Sequence, residues 1–323
     1  MHTTPYQQQP AEHITPGSEA HRKLITASKV ASILRTKDGK SISKFENAAE
    51  LWHRMRGDVP PQESTLAMRR GHNQEDSILS WFFTELRPDL EQVSGEETFT
   101  RPDLPWAAAN PDAVAIEDGR TVFIDAKSIA HDDGEWGKPE SDEVPLYYVT
   151  QMLWAMHMTH GEGGMRVTRT YVVKHGPYVD QTDWFYVDYD PSMAAFMETE
   201  CHRFWLSLDD PHGCPEITDR AEVHKTFAKL HPDIKPDSVW KISADYARDY
   251  VKARDQTKQA QAHEDAAKAR ILSVMGNAKT AVCGGQKIGT RQQKKDGGVY
   301  FRPAQRPVDL ADLPDDEPDW GAA

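Results

Sequence analysis

The chain has 323 residues, and its 38 Lys and Arg against 51 Asp and Glu give a formal charge of −13. No run of about 18 apolar residues occurs, which excludes a membrane-spanning helix and argues against a membrane partner. The N-terminus lacks the basic and apolar regions of a signal peptide, and three cysteines are too few for a disulfide framework, so we expect a reducing compartment.

The negative charge is unevenly distributed along the chain, and the composition predicts a succession of segments. Residues 1–17 are rich in Gln, Pro and Thr without apolar periodicity, so we expect disorder there. Residues 18–220 alternate helix and strand patterns, as in one α/β domain. Residues 221–302 carry 16 basic and 9 acidic side chains and are expected to form a basic extension of helix and β structure. Residues 303–323 are expected to be an acidic, disordered tail.

The predicted elements follow the spacing of apolar residues, which differs between helices and strands. In chain order they are a helix at 65–86, strands at 107–116 and 121–129, a helix at 147–158, strands at 167–174 and 184–189, and helices at 192–208 and 243–275. The last helix stops before Gly276, a residue type that favours helix C-termini. Its apolar seam is weak in the middle, which favours packing against its own domain over a free coiled coil.

The two strands around Asp118-Gly119 place charged residues opposite one another. An Asp-Gly pair is a strong signal for a two-residue hairpin turn. Continuing that register puts Asp112 opposite Asp125, with Cβ atoms about 5 Å apart, where like charges are destabilising. A shared proton or a divalent cation bound by oxygen ligands would offset the repulsion. Lys127 lies two residues beyond Asp125 and therefore projects from the same face.

Two further polar residues are predicted to point toward apolar surroundings. Glu75 lies on the apolar face of the helix at 65–86, where an unpaired charge is costly. Gln151 lies on the apolar face of the helix at 147–158. One interpretation of the hairpin charges is a solvated face with incidental carboxylates. The inward glutamate and glutamine favour the other interpretation, a functional site.

These residues also resemble a known family. Pro111-Asp112, twelve intervening residues and then Asp125-Ala126-Lys127 resemble the PD-(D/E)xK nuclease signature. More narrowly, residues 18–210 are similar to the YqaJ-type viral recombinases, the family of phage lambda exonuclease. Further motifs carry this resemblance: Ile25-Thr26-Ala27-Ser28, Gly71-His72-Asn73-Gln74-Glu75 and Tyr148-Val149-Thr150-Gln151. The resemblance implies an α/β fold with a PD-(D/E)xK nuclease core, in which helices flank a central mixed sheet, and a helical, basic C-terminal extension.

The same resemblance implies a metal-dependent deoxyribonuclease and names its residues. Mg²⁺, or Mn²⁺ in its place, would be held by three carboxylates and one main-chain carbonyl: Glu75, Asp112, Asp125 and Ala126. The catalytic set implied is the three carboxylates with Lys127 and Gln151. DNA phosphates would be contacted by Ser28 and by arginines, for which the candidates are Arg22, Arg69 and Arg70. Asp125 stands where the family more often has glutamate.

The activity implied by the resemblance is 5′→3′ digestion of one strand of linear double-stranded DNA. The product would be a 3′ single-stranded overhang for a single-strand annealing protein in phage-type homologous recombination. The resemblance further implies a homo-oligomer, a trimer in lambda-type relatives, and a cytoplasmic location in the bacterial host of a phage or prophage. Two alternatives stay open: an endonuclease or nickase that uses the same residues, and a non-catalytic DNA-binding protein that keeps the scaffold.

The basic extension at 221–302 leaves its own alternatives open. Its 16 basic residues are compatible with contacts to the DNA backbone, with guidance of a single strand, with a partner protein, or with an ordinary solvated surface. Because this segment is basic, the charge of −13 does not exclude a nucleic-acid partner.

Overall fold

The computed structural model describes most of the chain, in two compact units. The described residues are 14, 18–61, 63–95, 97–130, 134–178, 181–218, 223–295, 297–306 and 308–314. Parts of the segments for which disorder is predicted, at 1–13, 15–17 and 315–323, lie outside them. The two units are residues 1–234 and residues 235–323. The finer division predicted at residues 220 and 302 stays a prediction.

The described helices of the first unit are α1 (Glu19–Lys23), α2 (Ala27–Ile33), α3 (Ala48–Arg56), α4 (Leu66–Trp81), α5 (Leu146–His157), α6 (Pro191–Ser207) and α7 (Val223–Phe227). Four of them, α1, α3, α4 and α6, begin at a side-chain N-cap. The hydroxyl of Thr65 accepts a hydrogen bond from the N–H of Met68, in the first turn of α4, at 3.2 Å. The helix predicted at 65–86 is confirmed, although its last turn, Phe82–Leu86, is π-helical.

The strands of the first unit form two sheets. They are β1 (Ile25–Thr26), β2 (Glu91–Gly95), β3 (Phe99–Arg101), β4 (Leu104–Ala109), β5 (Ala113–Glu117), β6 (Arg120–Ser128), β7 (Arg169–His175) and β8 (Thr182–Asp188). A five-stranded sheet has the order β2-β5-β6-β7-β8, and its β6 and β7 are parallel while its other neighbours are antiparallel. A smaller sheet has the order β1-β4-β3.

The hairpin that joins β5 to β6 has the predicted turn and register. Asp118 and Gly119 both have positive φ, 46° and 77°, as a two-residue turn matched to the strand twist requires. Glu117 pairs with Arg120, as the turn dictates. The last registered pair at the open end is Ala113 with Ile124, one step short of the aspartates.

One predicted strand is two strands in the structure. The single strand expected at 107–116 is wrong, because β4 ends at Ala109 and β5 begins at Ala113. Pro111 has no N–H to donate to a ladder, so it interrupts the run between the two strands. As a consequence, β4 pairs in the smaller sheet, while β5 pairs in the larger one. The break also leaves Asp112 immediately before β5 rather than inside a strand.

Two buried clusters cover the opposite faces of the five-stranded sheet. Along β6, Phe123 belongs to the cluster formed with α2, α3, α5 and α6, whereas Val122 and Ile124 belong to the cluster formed with α4. Side chains alternate between faces along a strand. Asp125 and Lys127 therefore lie on the face of Phe123, toward α5. This alternation positions the site described below.

The second unit combines one long helix with a small antiparallel sheet. Its elements are α8 (Ala244–Val274), β9 (Thr280–Cys283), β10 (Gln286–Gln293), β11 (Val299–Pro303) and a 3₁₀ turn at Leu310–Asp312. The helix predicted at 243–275 is confirmed, with Ser243 as its N-cap. Although α8 contacts β11, none of its residues is buried. Phe301 is buried against Gly289, where a Cβ atom would come within 2.4 Å of the ring.

The predicted fold class is confirmed by these elements, since helices flank a mixed sheet and the C-terminal part is largely helical. Within the described ranges, no helix combines the length and the apolarity that crossing a bilayer requires.

Candidate active site

The centre of the candidate site is the C-terminal half of β6, seen from α5. Asp125 is buried, with 3% of its surface exposed. Its Oδ1 forms an ion pair with the ammonium of Lys127, and its Oδ2 accepts a hydrogen bond from Nε2 of Gln151 at 3.3 Å. The structure therefore brings together three of the residues singled out from the sequence. Strand β6 supplies the carboxylate of Asp125 and, two residues later, the ammonium of Lys127. Helix α5 supplies the amide of Gln151.

Asp112 joins this cluster from the neighbouring strand end. Its carboxylate Oδ2 accepts a hydrogen bond from the main-chain N–H of Ala126 at 2.7 Å. Ala126 lies between Asp125 and Lys127, so the hydrogen bond holds the second carboxylate beside the first. The hairpin register predicts that Asp112 faces Asp125. In the structure, Asp112 contacts the backbone of β6 at the next residue, Ala126. Two like charges share a half-buried corner of the sheet.

Glu75 lies on α4, near enough to Asp125 and Lys127 for their charges to act on its carboxyl group. Its side chain is half-buried, and burial, reinforced by the negative charge of Asp125, raises its pKa above the usual value. Lys127 and His72 act in the opposite direction on this pKa. Glu75 therefore senses the charges of the cluster, as expected for a third carboxylate at one site.

The carboxylates and the lysine shift one another's proton affinity. Burial, and next the charge of Asp125, raise the pKa of Asp112 well above its ordinary value. Burial alone lowers the pKa of Lys127, but Asp125 and Asp112 more than offset this, so that the net pKa is raised. Lys127 is consequently held as an ammonium ion. One lysine faces three carboxyl groups, so full ionisation of the cluster would leave it with more negative than positive charge.

The donor set of this cluster fits a hard divalent cation, although its geometry is not that of a closed metal site. Among the described residues, no group of three or more His, Cys, Asp or Glu side chains is arranged to hold a metal ion. Oδ1 of Asp125 is nevertheless buried without a regular hydrogen bond, with only the Lys127 ammonium as its ion-pair partner. Carboxylate oxygens are the ligands that Mg²⁺ prefers. A cation would offset both the burial and the repulsion from Asp125 that raise the pKa of Asp112.

The residues expected to contact phosphates lie on segments that a buried lysine ties together. Ser28 is exposed in the first turn of α2, and Arg22 is half-buried in α1. The ammonium of Lys29 donates to the carbonyls of His21 at 2.7 Å and Leu24 at 2.5 Å. Lys29 thus anchors the end of α1 to α2. The phosphate contacts of Ser28 and Arg22 stay predictions.

The two candidate arginines of α4 differ in their surroundings. Arg69 is exposed, and its guanidinium donates to the carbonyl of Ser64 at 2.5 Å. Arg70 donates to Oε1 of Gln74 at 2.8 Å, and the hydroxyl of Ser128 donates to the same oxygen at 2.7 Å. Ser128 follows Lys127 on β6, but because side chains alternate along a strand it projects from the other face, toward α4, so the phosphate contacts of Arg69 and Arg70 stay predictions. Gln74 was not singled out from the sequence by itself, although it lies inside the motif that ends at Glu75.

Tyr148 is a further site residue that sequence reasoning missed. The ammonium of Lys127 lies 5.2 Å from the centre of its ring. The ring is therefore one wall of the lysine's surroundings and stabilises the cation electrostatically. The helical spacing predicts that Tyr148 belongs to an apolar face. The only signal that could have indicated a role in the site is its position in the motif that ends at Gln151.

The comparison with protein families supports the identification made from these motifs. Residues 18–162 match the family profile of the YqaJ-like viral recombinase domain. This span contains all the motifs quoted from the sequence, so the resemblance to that family is confirmed. No curated protein sequence matches the chain.

Several solved exonuclease structures are similar to this chain. The alkaline exonuclease LHK-Exo from Laribacter hongkongensis is 22% identical, with a TM-score of 0.43, over 59% of this chain and 90% of that protein. The complex of LHK-Exo with dAMP gives 23% identity at the same coverage and TM-score. A phage-related exonuclease from Haemophilus somnus 129PT is 12% identical, with a TM-score of 0.41, over 58% of this chain and 95% of that protein.

Proposed function

Since residues 18–162 match the YqaJ-like viral recombinase domain, we propose that the chain hydrolyses DNA phosphodiester bonds at the cluster of Asp112, Asp125 and Lys127. The observation that carries this proposal is the contact set of Asp125. One of its oxygens pairs with Lys127, the other accepts from Gln151, and Asp112 is fixed to the adjoining main chain. Carboxylates, an ammonium and an amide within one half-buried corner are groups that can serve phosphodiester hydrolysis.

The carboxylates are proposed to hold Mg²⁺, with Mn²⁺ as a substitute. Asp112 and Asp125 would provide the principal oxygens, Glu75 a third, and the carbonyl of Ala126 a neutral ligand. When bound, such an ion supplies Lewis-acid stabilisation of the phosphate and lowers the pKa of a coordinated water. What supports this role for Asp112 is the main-chain N–H of Ala126, which orients its carboxylate.

Lys127 is proposed to hold or deprotonate the attacking water and to face the charge that develops on the phosphate. Its raised pKa favours the ammonium form, which suits charge stabilisation better than proton abstraction in the metal-free protein. Gln151 is proposed to orient the water or the lysine, because its amide reaches Asp125 next to Lys127. Arg70 and Ser28, with Arg22 or Arg69, are proposed to contact phosphates beside the cleaved bond.

The finer activity that we propose is 5′→3′ digestion of one strand of linear double-stranded DNA in the host cytoplasm. The 3′ overhang would pass to a single-strand annealing protein. A ring-shaped homo-oligomer would confer processivity on this reaction. Endonuclease or nickase activity and binding without catalysis are the alternatives that an experiment must separate.

One assay separates these activities. Purified protein is incubated with linear and with closed circular duplex DNA, in Mg²⁺ or in EDTA. We expect Mg²⁺-dependent loss of the linear duplex alone, and end-labelled strands then give the polarity. Loss of both substrates identifies an endonuclease, and loss of neither, with retained binding, identifies a DNA-binding protein.

A further inference from the structure

A continuous row of aromatic rings leads from Lys127 to the protein surface. The ring of Tyr148, next to Lys127, has its centre 4.2 Å from that of Tyr147. Tyr147 in turn contacts Phe45 edge to face, at 5.9 Å between ring centres. Phe45 is 68% exposed, so the row ends in solvent. We refer to Phe45, Tyr147 and Tyr148 as the aromatic row.

The exposed end of the aromatic row is held in place by its backbone. The N–H of Phe45 donates to the hydroxyl of Ser43 at 3.1 Å, and Ser43 is itself buried and bonded through its N–H to the carbonyl of Ala31. On the other side of Phe45, the carboxylate of Glu46 accepts from Nε of Arg54 at 2.7 Å. An exposed phenylalanine between two anchored neighbours is a fixed surface rather than a loose loop tip.

A lysine that forms an ion pair with a glutamate accompanies the rings. Nζ of Lys44 lies 5.2 Å from the centre of the Tyr147 ring and 2.7 Å from a carboxylate oxygen of Glu135. Flat apolar faces beside a lysine are the combination by which proteins bind single-stranded nucleic acid, with bases stacked on the rings and phosphates near the cation. The aromatic row is in contact with Lys127. An isolated exposed apolar side chain elsewhere on the surface has no such connection to the candidate site.

We propose that Phe45 and Tyr147 form a stacking subsite for a nucleobase of the strand that is cut at the Asp125–Lys127 cluster. This inference rests on the proposed function and specifies where the substrate is held. The base would lie against the exposed ring of Phe45. The sugar-phosphate backbone of the same DNA strand would run past Tyr148 toward Lys127. Because every base has a π-face, such a subsite positions the strand without selecting a sequence.

The stacking subsite is tested by binding without cleavage. The probe is a short linear duplex with an unpaired 2-aminopurine at the tip of a 5′ overhang, where its own stacking is weak, titrated with the full chain in EDTA at low salt. Stacking on an aromatic ring quenches 2-aminopurine, so we expect quenching with the wild type. Phe45→Ala is expected to abolish the quenching and to raise Kd roughly tenfold, whereas Phe45→Trp retains both. Phe196→Ala, at an exposed phenylalanine of α6 outside the aromatic row, is the matched control and leaves both unchanged.

A duplex with an abasic residue at the probed position separates base stacking from other roles of Phe45. On this substrate Phe45→Ala should bind as the wild type does, because the base whose stacking it loses is already missing. An equal loss of affinity on both duplexes, or no loss on either, overturns the proposal. A change in sedimentation of Phe45→Ala without a change in quenching would also overturn it and would make Phe45 a contact between copies. Failure of wild-type digestion in Mg²⁺ contradicts the proposed function separately, since the quenching assay does not need cleavage.

Discussion

At the scale of single residues, the candidate site is a balance between one ammonium and three carboxyl groups. Lys127 pairs with Asp125, and the surrounding negative charge raises its pKa in spite of burial. The pKa of Asp112 is also raised, first by burial and then by the charge of Asp125. The excess of carboxyl groups is the local reason to expect a cation there.

Removal of the ammonium should separate chemistry from binding. We expect Lys127→Ala to reduce DNA cleavage by about a hundredfold or more while the affinity for DNA stays nearly constant. The measurement is the initial rate of linear-duplex digestion, together with a filter or anisotropy binding curve. Lys174→Ala, at the residue paired with Lys127 on the parallel strand β7, is the matched control and should retain most of the rate. Cleavage by Lys127→Ala at the wild-type rate would contradict the site assignment.

Removal of one carboxylate charge should stabilise the metal-free protein. Because the pKa of Asp112 is raised on folding, its ionised form destabilises the folded state fully above the folded pKa, and this cost vanishes as the pH falls below the unfolded value. We therefore expect Asp112→Asn to raise the stability in EDTA by about 1 kcal/mol at neutral pH, and by less at pH 4. Thermal melting at both pH values measures the effect.

The same pair of proteins reports on the metal. Mg²⁺ should raise the Tm of the wild type, because a ligand that binds only the folded state stabilises that state. The rise should be smaller for Asp112→Asn, because this variant lacks one of the carboxylates proposed to hold the ion. A wild-type Tm that is identical in Mg²⁺ and in EDTA would argue against cation binding at this cluster.

At the scale of elements, α5 has one end at the site and the other in a buried polar network. Nε2 of His157, in the last turn of α5, lies 2.6 Å from Oε2 of Glu198 on α6, and Nδ1 lies 2.9 Å from the hydroxyl of Tyr189. Nη1 of Arg101 on β3 lies 3.0 Å from the same Nε2. The network joins a sheet and two helices, so its protonation affects the element that also bears Gln151.

The pH dependence of that network has a definite sign. Burial lowers the pKa of His157 against the opposing effect of Glu198, so the histidine is neutral in the folded protein at neutral pH. Its contribution to stability is full above the unfolded pKa of about 6.5 and is lost as the pH falls from there toward the folded pKa. We expect His157→Gln to flatten the decline of unfolding free energy between pH 7 and pH 5 by on the order of 1 kcal/mol.

Denaturant unfolding at several pH values measures this decline. His263→Gln, at an exposed histidine of α8, is the matched control and should leave the pH profile as it is. Parallel profiles of His157→Gln and the wild type would show that His157 does not carry the effect.

At the scale of the whole molecule, an acidic chain contains a basic segment near its C-terminus. Residues 221–302 have 16 basic and 9 acidic side chains within a chain of charge −13. In the second unit, α8 has no buried residue, and its Tyr246 is 75% exposed. The basic segment therefore contains a helix whose whole length is accessible, and we propose that this segment contacts the DNA backbone.

Removal of the second unit should lower the salt dependence of DNA binding without unfolding the first. The fragment 1–234 contains the residues of both clusters that cover the five-stranded sheet, so we expect it to fold. Its plot of log Kd against log salt should be shallower by about 1 or more, since each lost phosphate contact lowers the slope by about 0.9. Melting curves confirm folding of the fragment. An unchanged slope would show that the extension does not contact the backbone of the DNA.

Local structure and the identity of the central residues could be predicted from the amino-acid sequence. Helix caps such as Thr65 and Ser243 and the Asp118-Gly119 turn act over a few residues, so the helices at 65–86 and 243–275 and the hairpin register were predictable. The hairpin register, in turn, leads Asp112 toward Asp125, because a two-residue turn fixes the cross-strand pairs that follow it as far as Ala113 with Ile124. The motifs around Glu75 and Gln151 carried the resemblance to the family.

The tertiary structure decided what depends on contacts between distant segments. Pro111 redirects the chain, so the single predicted strand is divided between two sheets, and strand partners cannot be inferred from alternation alone. The link from Arg70 through Gln74 to Ser128, and the row from Lys127 through Tyr148 to Phe45, each join residues far apart in the chain. Such contacts arise from the packing of α4 and α5 on opposite faces of one sheet, and sequence periodicity specifies only which side of each helix is buried.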